Sequence, residues 1–309
     1  MTLTEAVREE SERDGRDDTE EGEESTGDDD ERGPDPSKPV RRAFGVVSRR
    51  PVLLFAFALA AVVVAVADVA RVLDPVGNAL PSTLGDGVSF SVMTHPSGTR
   101  VSTVTLGALV GLRPDWLAVA VVLTVVAPVA SGVATAWTVA RTADREFTWG
   151  RARATTAYAV VVVLLWQTAG GVVDVVGALL APVFLVGLWL SARLFPAPAL
   201  AALDRSPLDA AREAYALTRG RTLGCLLSVV GAGTLGAVLA NLPSVVAIPS
   251  GDPSFALGTL LSYAFAGTVG AVAATIYAVE AREEREQRRG AREQARDGRP
   301  EDARGRNGN

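Results

Sequence analysis

The sequence predicts an all-α polytopic membrane protein with about six transmembrane helices and short amphipathic helices on the cytoplasmic side. Three observations lead to this fold class. Apolar residues are gathered in long blocks, whereas a soluble protein disperses them at helix or strand period. Arginines are concentrated at alternate ends of these blocks. A short segment between two of the blocks has the pattern of an amphipathic helix.

The first 40 residues differ from the rest in composition. They hold 16 acidic and five basic side chains, a net charge of −11, and almost no large apolar ones. Such a segment cannot bury enough surface to offset chain entropy, so residues 1–40 are predicted to be disordered. The remaining residues hold 19 acidic and 25 basic groups, a net of +6. The net charge of −5 for the whole chain is therefore the sum of a strongly acidic segment and a basic remainder.

Apolar blocks of about 20 residues can cross the hydrocarbon core as helices. The block at 156–195 is too long for one span, so we divide it at a turn near Asp174. These spans form a predicted transmembrane domain at 41–280, followed by a charged cytoplasmic helix and tail at 281–309. The six predicted spans are Val52–Leu73, Trp116–Ala140, Thr156–Val173, Val175–Phe195, Leu223–Pro243 and Phe255–Val279.

Arginine placement predicts the orientation, because cytoplasmic loops are enriched in basic residues. With the N-terminus inside, 13 of the 16 arginines in 41–280 lie on the inner side. Only Arg71, Arg100 and Arg113 lie outside. An odd number of spans breaks this alternation. We therefore predict a multi-pass protein of the cell membrane, in contact with the lipid bilayer, with both termini in the cytoplasm.

Four polar side chains in or near the spans are candidate functional residues, because ionisable groups are costly inside a membrane. Asp68 and Arg71 are three positions apart, on one helical face, and could pair near the outer end of the first span. Gln167 lies nearer the middle of the third span, and Asp174 at an outer turn. We expect water and headgroups to reach both aspartates, which favours structural or interfacial roles.

The chain lacks the residues that several kinds of functional site require. Cys225 is the only cysteine and His95 the only histidine, which excludes an intrachain disulfide and a multi-histidine metal site. His95 lies in an outer loop, 74–115, and is expected to face solvent. The stretch Val101–Leu112 in that loop is too short to span and is expected to lie in the interface or to re-enter. We predict no cofactor, no catalytic residue and no nucleic-acid partner.

The segment between the fourth and fifth spans has the signals of a short helix. Ser206 is a good N-cap, Pro207 fits the first helical position, and Asp209 completes a capping-box-like pattern. Gly220 is placed to end the helix. We predict a helix on the inner membrane surface with Arg219 and Arg221 near lipid phosphates. Its predicted apolar face comprises Leu208, Ala211, Ala214, Tyr215 and Leu217.

This helix has two interpretations, a structural one that orients the next span and a docking element for a partner. Residues 42–54 align without gaps to residues 213–225, with Phe44 opposite Tyr215 and Arg50 opposite Arg221. This internal similarity favours a structural unit repeated before successive hairpins. The candidate docking residues are Ser206, Asp209, Glu213, Tyr215, Arg219, Gly220 and Arg221.

Residues 206–221, SPLDAAREAYALTRGR, resemble a segment of a broad family of six-span bacterial and archaeal membrane proteins. That family includes the membrane domain found ahead of some glycerophosphodiester phosphodiesterases. The single lysine among 30 basic residues and the acidic tail resemble proteins of halophilic archaea. The resemblance implies a six-span architecture. It carries over no catalytic residue, because no soluble segment here matches the phosphodiesterase domain.

A second resemblance gives a different function. Permease subunits of ATP-driven importers have a cytoplasmic EAA-x3-G loop that docks an ATPase. Glu213, Ala214 and Gly220 imitate it, but Tyr215 replaces the second alanine and the glycine falls one residue late. We therefore expect a non-enzymatic structural, scaffolding or accessory membrane protein, with a membrane-protein partner or a homo-oligomer. A transport permease or permease subunit is the alternative, and a membrane-embedded enzyme comes third.

Overall fold

The computed structural model describes residues 38–72, 95–98, 112–175, 180–203, 206–245 and 252–297. Nearly all of these residues are helical and none is in a strand, which confirms the all-α class. A 3-10 turn, Pro51–Leu53, joins α1 to α2, and a π-helical turn, Ser262–Gly267, joins α9 to α10. The helices are α1 Lys38–Arg49, α2 Leu54–Val72, α3 Pro114–Thr142, α4 Trp149–Val175, α5 Leu180–Leu194, α6 Ala197–Leu203, α7 Pro207–Leu217, α8 Thr222–Val245, α9 Asp252–Leu261 and α10 Thr268–Asp297.

Three predictions fall largely outside the described residues. These are the disorder of 1–40, the interfacial or re-entrant position of Val101–Leu112, and the fraying of the chain after Gly298. The predicted cytoplasmic helix at 281–309 is described as far as Asp297. It is the continuous extension of the last span, because α10 runs through both without a break.

Five stretches of the described chain are long and apolar enough to cross a membrane. They confirm a membrane-spanning architecture. The predicted third span lies in α4, whose 27 residues extend over about 40 Å at 1.5 Å per residue. The predicted break near Asp174 agrees with the bounds of two described helices, because α4 ends at Val175 and α5 begins at Leu180, and residues 176–179 lie outside the described residues. The five stretches are Pro51–Arg71, Pro114–Thr142, Phe184–Leu203, Thr222–Pro243 and Ala256–Ala291.

The two flanks of the membrane domain meet on one side of the bundle. Arg42 of α1, which precedes the first span, contacts Glu280 of α10, which follows the last predicted span, at 2.5 Å. Two flanks on the same side require an even number of crossings between them. The five apolar stretches and α4 together supply six. The structure contains no membrane, so the assignment of this side to the cytoplasm remains a prediction from the arginines.

Small side chains fill the interior, and large apolar ones face outward. The short helix α6 is buried over its whole length, from Ala197 to Leu203. Gly132 of α3 approaches the backbone of Thr156 on α4, where an added Cβ would lie 2.6 Å from the Cα atom. By contrast, Phe55 of α2 is 64 % exposed. This arrangement is typical of helices that pack closely in lipid, where apolar side chains gain nothing from leaving the surface.

The buried face of α7 differs from the predicted one. Ala210, Ala214 and Leu217 are buried, whereas Leu208 and Tyr215 are 61 % and 45 % exposed. The three buried side chains pack on the alanine-rich α6, where close approach favours small side chains, and the predicted contact of Leu208 and Tyr215 with the membrane surface stays a prediction. Leu208 and Tyr215 are consequently left at the protein surface.

Candidate functional site

Two groups of polar residues lie at opposite ends of the bundle. The outer polar cluster comprises Asp68, Arg71, His95, Thr124, Ser131 and Thr259. The terminal clamp, on the side of α1 and α7, comprises Arg42, Glu213, Arg221, Glu280, Arg282 and Glu284. Sequence reasoning named some members of each group, but the partners come from distant parts of the chain.

Asp68 and Arg71 are buried, with only 4 % and 2 % of their surfaces exposed. The expectation that water and headgroups reach Asp68 is therefore wrong. Arg71 Nη2 donates a 3.0 Å hydrogen bond to the hydroxyl of Thr124 on α3. Thr259 of α9 donates to Asp68 Oδ2 at 3.3 Å. The two residues thus connect α2 to two neighbouring helices, and their mutual pairing stays a prediction.

His95 lies deep in the bundle, and the expectation that it faces solvent is wrong. Its Nε2 atom is 3.2 Å from the hydroxyl oxygen of Ser131, which is fully buried. Its Nδ1 atom is also buried and makes no hydrogen bond within the described chain. Ser131 lies 17 residues beyond the start of α3 at Pro114, about 25 Å along the helix axis. The imidazole therefore reaches the middle of a spanning helix.

The segment 95–98 is held against the π-helical turn at the other side. A Cβ added to Gly98 would collide with the backbone and ring of Tyr263, so only glycine fits this approach. Tyr263 is itself 2 % exposed. Interrupted helical geometry of this kind is frequent at functional sites. The segment 95–98 thus links the π-helical turn to the outer polar cluster, which includes residues of α2, α3 and α9.

Gln167 and Asp174, the other two predicted intramembrane residues, make no described contact with this cluster. Gln167 lies in α4 and is half-buried. Asp174 lies in the last turn of α4, and its side chain is outside the described residues. Their predicted significance remains untested.

At the opposite end, Glu213 of α7 forms a bidentate contact with Arg282 of α10. Arg282 Nε donates to Glu213 Oε1 at 2.9 Å, and Nη2 donates to Oε2 at 3.1 Å. The two side chains are 19 % and 28 % exposed. A planar guanidinium matched to a carboxylate in this way is a geometrically specific pair. It fastens the amphipathic helix to the last helix.

Two further ion pairs join α10 to the surrounding elements. Arg42 Nη1 donates to Glu280 at 2.5 Å, and Arg221 Nη2 donates to Glu284. The hydrogen bond with Glu284 raises the pKa of the Arg221 guanidinium above its usual value. Arg221 was expected near lipid phosphates, but its charge is compensated within the protein.

Two residues of the terminal clamp lie at matching positions of the two similar sequence segments. Arg42 and Glu213 occupy aligned positions in segments 42–54 and 213–225. They carry opposite charges, and they pair with Glu280 and Arg282, which are two residues apart in α10. The two similar segments therefore use the same position to hold the last helix, with the sign of the pair reversed.

The local signals of α7 are confirmed. Ser206 has an extended backbone, and its Oγ accepts a hydrogen bond from the Asp209 amide at 3.2 Å. Its hydroxyl also donates to Asp209 Oδ2 at 2.6 Å. Gly220 has a φ of +90°, the left-handed conformation that glycine adopts without strain, in the turn after α7. These residues position Glu213 and Tyr215 on the helix between them.

An arginine that sequence reasoning did not select lies beside the amphipathic helix. The guanidinium carbon of Arg193, in the last turn of α5, is 5.4 Å from the ring centroid of Trp189 and 5.1 Å from that of Tyr215. The i, i+4 spacing of Trp189 and Arg193 was a signal available from the sequence. The contribution of Tyr215 was not, because it depends on how α7 packs against α5.

The described residues contain no group of three His, Cys, Asp or Glu side chains that could hold a metal ion. The donors that are present are hydroxyls, one imidazole and paired charges. Their chemistry suits hydrogen bonding and ion pairing across helices.

Comparison with known proteins gave no match to a family, to a curated protein or to a solved structure.

Proposed function

We propose that this chain is an accessory or scaffolding protein of the cell membrane, without catalytic activity of its own. The bidentate contact between Glu213 and Arg282 is the observation that supports this proposal most directly. A short helix on a membrane surface can rotate and slide. Fastened along one edge, α7 presents its opposite edge in a fixed orientation, as a binding surface requires.

The surface available to a partner is the docking strip, defined as Leu208, Arg212, Tyr215 and Arg219. These residues recur at intervals of four, three and four along α7 and the turn after it, and all four are exposed. The strip combines two large apolar groups with two cations. Such a mixture suits the end of another membrane protein, where apolar and acidic groups lie together.

The same contact argues against an importer subunit that docks an ATPase through this helix. Glu213 is the residue on which the resemblance to the EAA loop rests. Its carboxylate is engaged by Arg282 and is 19 % exposed. A docking glutamate has to present its carboxylate to the partner, so use of Glu213 in this way first requires separation of α7 from α10.

Photo-crosslinking in membranes of the native organism tests the proposal. A photoreactive amino acid at Leu208 is expected to give one discrete adduct with a membrane protein, and the adduct should disappear when Arg212 is changed to Glu. Glu146, exposed at the α3–α4 turn on the same side of the bundle, is the matched control position. Absence of any adduct from Leu208, or an identical adduct from Glu146, would overturn the proposal.

A transport permease is the second candidate, and the outer polar cluster favours it. Charged residues inside a membrane domain commonly mark a substrate or ion pathway. Asp68 and Arg71 are two such residues, both buried among the helices, and the imidazole of His95 contacts the buried Ser131 in the same cluster. Flux of a solute into proteoliposomes, lost in Asp68→Asn and retained in Thr168→Val on α4, would establish transport. An accessory protein gives no flux in either form.

Membership of the six-span family that contains phosphodiesterase membrane domains is likewise a proposal. It rests on residues 206–221, whose capped helix lies between two spans as the resemblance implies. An origin in a halophilic archaeon rests on composition alone. A phosphodiesterase or an ATPase encoded beside this chain would separate the accessory and permease candidates.

A further inference from the structure

Arg193, Trp189 and Tyr215 form a compact triangle at the end of the bundle near α7. The guanidinium carbon lies 5.4 and 5.1 Å from the two ring centroids, and the rings are 6.0 Å from each other. Rings on opposite faces of a guanidinium would be farther apart. The rings therefore lie side by side, and both contact the same region of the guanidinium.

Two of the three guanidinium nitrogens are buried at this site. Nε and Nη1 of Arg193 have no accessible surface and no hydrogen-bond partner within the described chain. The residue as a whole is only partly buried, so Nη2 is the nitrogen through which Arg193 can reach a ligand. The aromatic rings hold that nitrogen in place and exclude water from the other two.

The positive charge of Arg193 is not neutralised by the described part of the protein. No Asp or Glu there forms an ion pair with it, and the nearby Arg221 is already paired with Glu284. Interaction with the two rings stabilises the cation without cancelling its charge. The C-terminus of α5 supplies only a partial negative charge. Within the described residues, the guanidinium of Arg193 therefore has no anionic partner.

The surroundings of the triangle identify the source of that anion. Trp189 and Tyr215 are 44 % and 45 % exposed, as aromatic side chains at a membrane–water interface commonly are. About two turns of α5 before Arg193, towards the membrane interior, Leu185 and Val186 are each 62 % exposed. An exposed apolar surface thus lies next to the Arg193 guanidinium, which has no ion-pair partner among the described residues. This combination fits acyl chains and a phosphate of one molecule.

We propose that Arg193, Trp189 and Tyr215 bind the phosphate group of an anionic lipid, in the leaflet on the side of α7. The phosphate oxygens accept hydrogen bonds from Nη2, and the acyl chains lie along Leu185 and Val186. Tyr215 belongs to α7, so a bound lipid also stabilises the position of that helix. The site shares Tyr215 with the docking strip but does not rest on the proposed accessory function, because lipid quenching and photo-crosslinking test the two separately.

The test uses the full chain in lipid nanodiscs and the fluorescence of Trp189. The chain has five tryptophans, so the other four are replaced by Phe. Phosphatidylglycerol with brominated acyl chains is compared with brominated phosphatidylcholine as a quencher. We expect phosphatidylglycerol to bind beside Trp189 about fivefold more tightly, the difference that one basic residue makes near an anionic headgroup.

Matched variants test whether Arg193 is responsible for the preference for phosphatidylglycerol. Arg193→Gln should abolish the preference for phosphatidylglycerol, and Arg193→Lys should keep part of it. Arg153→Gln, which removes an exposed arginine near the start of α4, should leave it unchanged. Equal quenching by the two lipids in the parent protein, or equal loss in Arg193→Gln and Arg153→Gln, would overturn the proposal. Displacement of the lipid by millimolar inorganic phosphate would identify a free-phosphate site and overturn the assignment to lipid.

Discussion

The Glu213 carboxylate and the Arg282 guanidinium are 69 positions apart in the chain and are joined by two hydrogen bonds of 2.9 and 3.1 Å. Both side chains are less than one-third exposed. Bulk water therefore screens their attraction less than that of a surface pair. The contact fixes the position of α7 relative to the last helix.

Removal of this contact should destabilise the protein. Glu213→Gln and Arg282→Gln should each lower the free energy of unfolding by about 1–2 kcal/mol, because each leaves a partly buried charge without its partner. Thermal unfolding in detergent measures the effect. The exchange Glu213→Arg with Arg282→Glu should recover part of the loss. A double variant as unstable as the sum of the single variants would show that the pair contributes no coupling energy.

The packing of Gly98 on Tyr263 predicts that a methyl group dislodges segment 95–98. Gly98→Ala should lower the melting temperature and expose the segment to solvent. With Cys225 replaced by Ser, a cysteine at Ser97 should react faster with an impermeant maleimide in the Gly98→Ala background. Gly150 has no neighbouring atom within 4 Å of an added Cβ, so Gly150→Ala serves as the control. Unchanged labelling would contradict the described position of the segment.

The hydrogen bond between Thr124 and Arg71 should contribute measurably to stability. Thr124→Val removes the hydroxyl that accepts from the buried guanidinium, at an expected cost of about 1–2 kcal/mol. Thr168→Val is the matched control, since the exposed hydroxyl of Thr168 bonds only to its own helix, at the Leu164 carbonyl. Equal melting temperatures for the two variants would indicate that Arg71 does not depend on this acceptor.

The contact of α1 with α10 predicts that both termini lie on one side of the membrane. Single cysteines introduced at Ser48 of α1 and at Glu286 of α10, in the Cys225→Ser background, should be labelled from the same side of sealed vesicles. A cysteine at Asp115, which is 59 % exposed at the start of α3, should be labelled from the other side. Labelling of Glu286 and Asp115 from one side would contradict an even number of crossings.

Several features of the fold were predictable because they depend on local sequence. The break between α4 and α5 follows from a block too long for one span, and it lies within a few residues of Asp174. The Ser206 cap depends on a hydroxyl oxygen three residues from the amide that donates to it. The exposure of Leu208 and Tyr215 was not predictable from a helical wheel, since the wheel identifies no neighbour for either face.

The candidate site was predictable only in part. Asp68 and Arg71 were selected because charges are rare in apolar blocks. His95 was not, because a loop histidine has no local signal that distinguishes a solvent position from one in the bundle. Its approach to Ser131 is a contact over 36 positions, which no local pattern in the sequence predicts.

The sequence by itself determined which segments are apolar enough to enter a membrane and on which side the arginines accumulate. Both follow from the free energy of transferring individual side chains, which each residue carries wherever it is placed. Tertiary structure decided which charges meet. Arg42 and Glu280 are 238 positions apart, and only the packing of six crossings brings α1 beside α10. The same packing determined that Arg221 is neutralised within the protein, whereas Arg193 is left to bind an external anion.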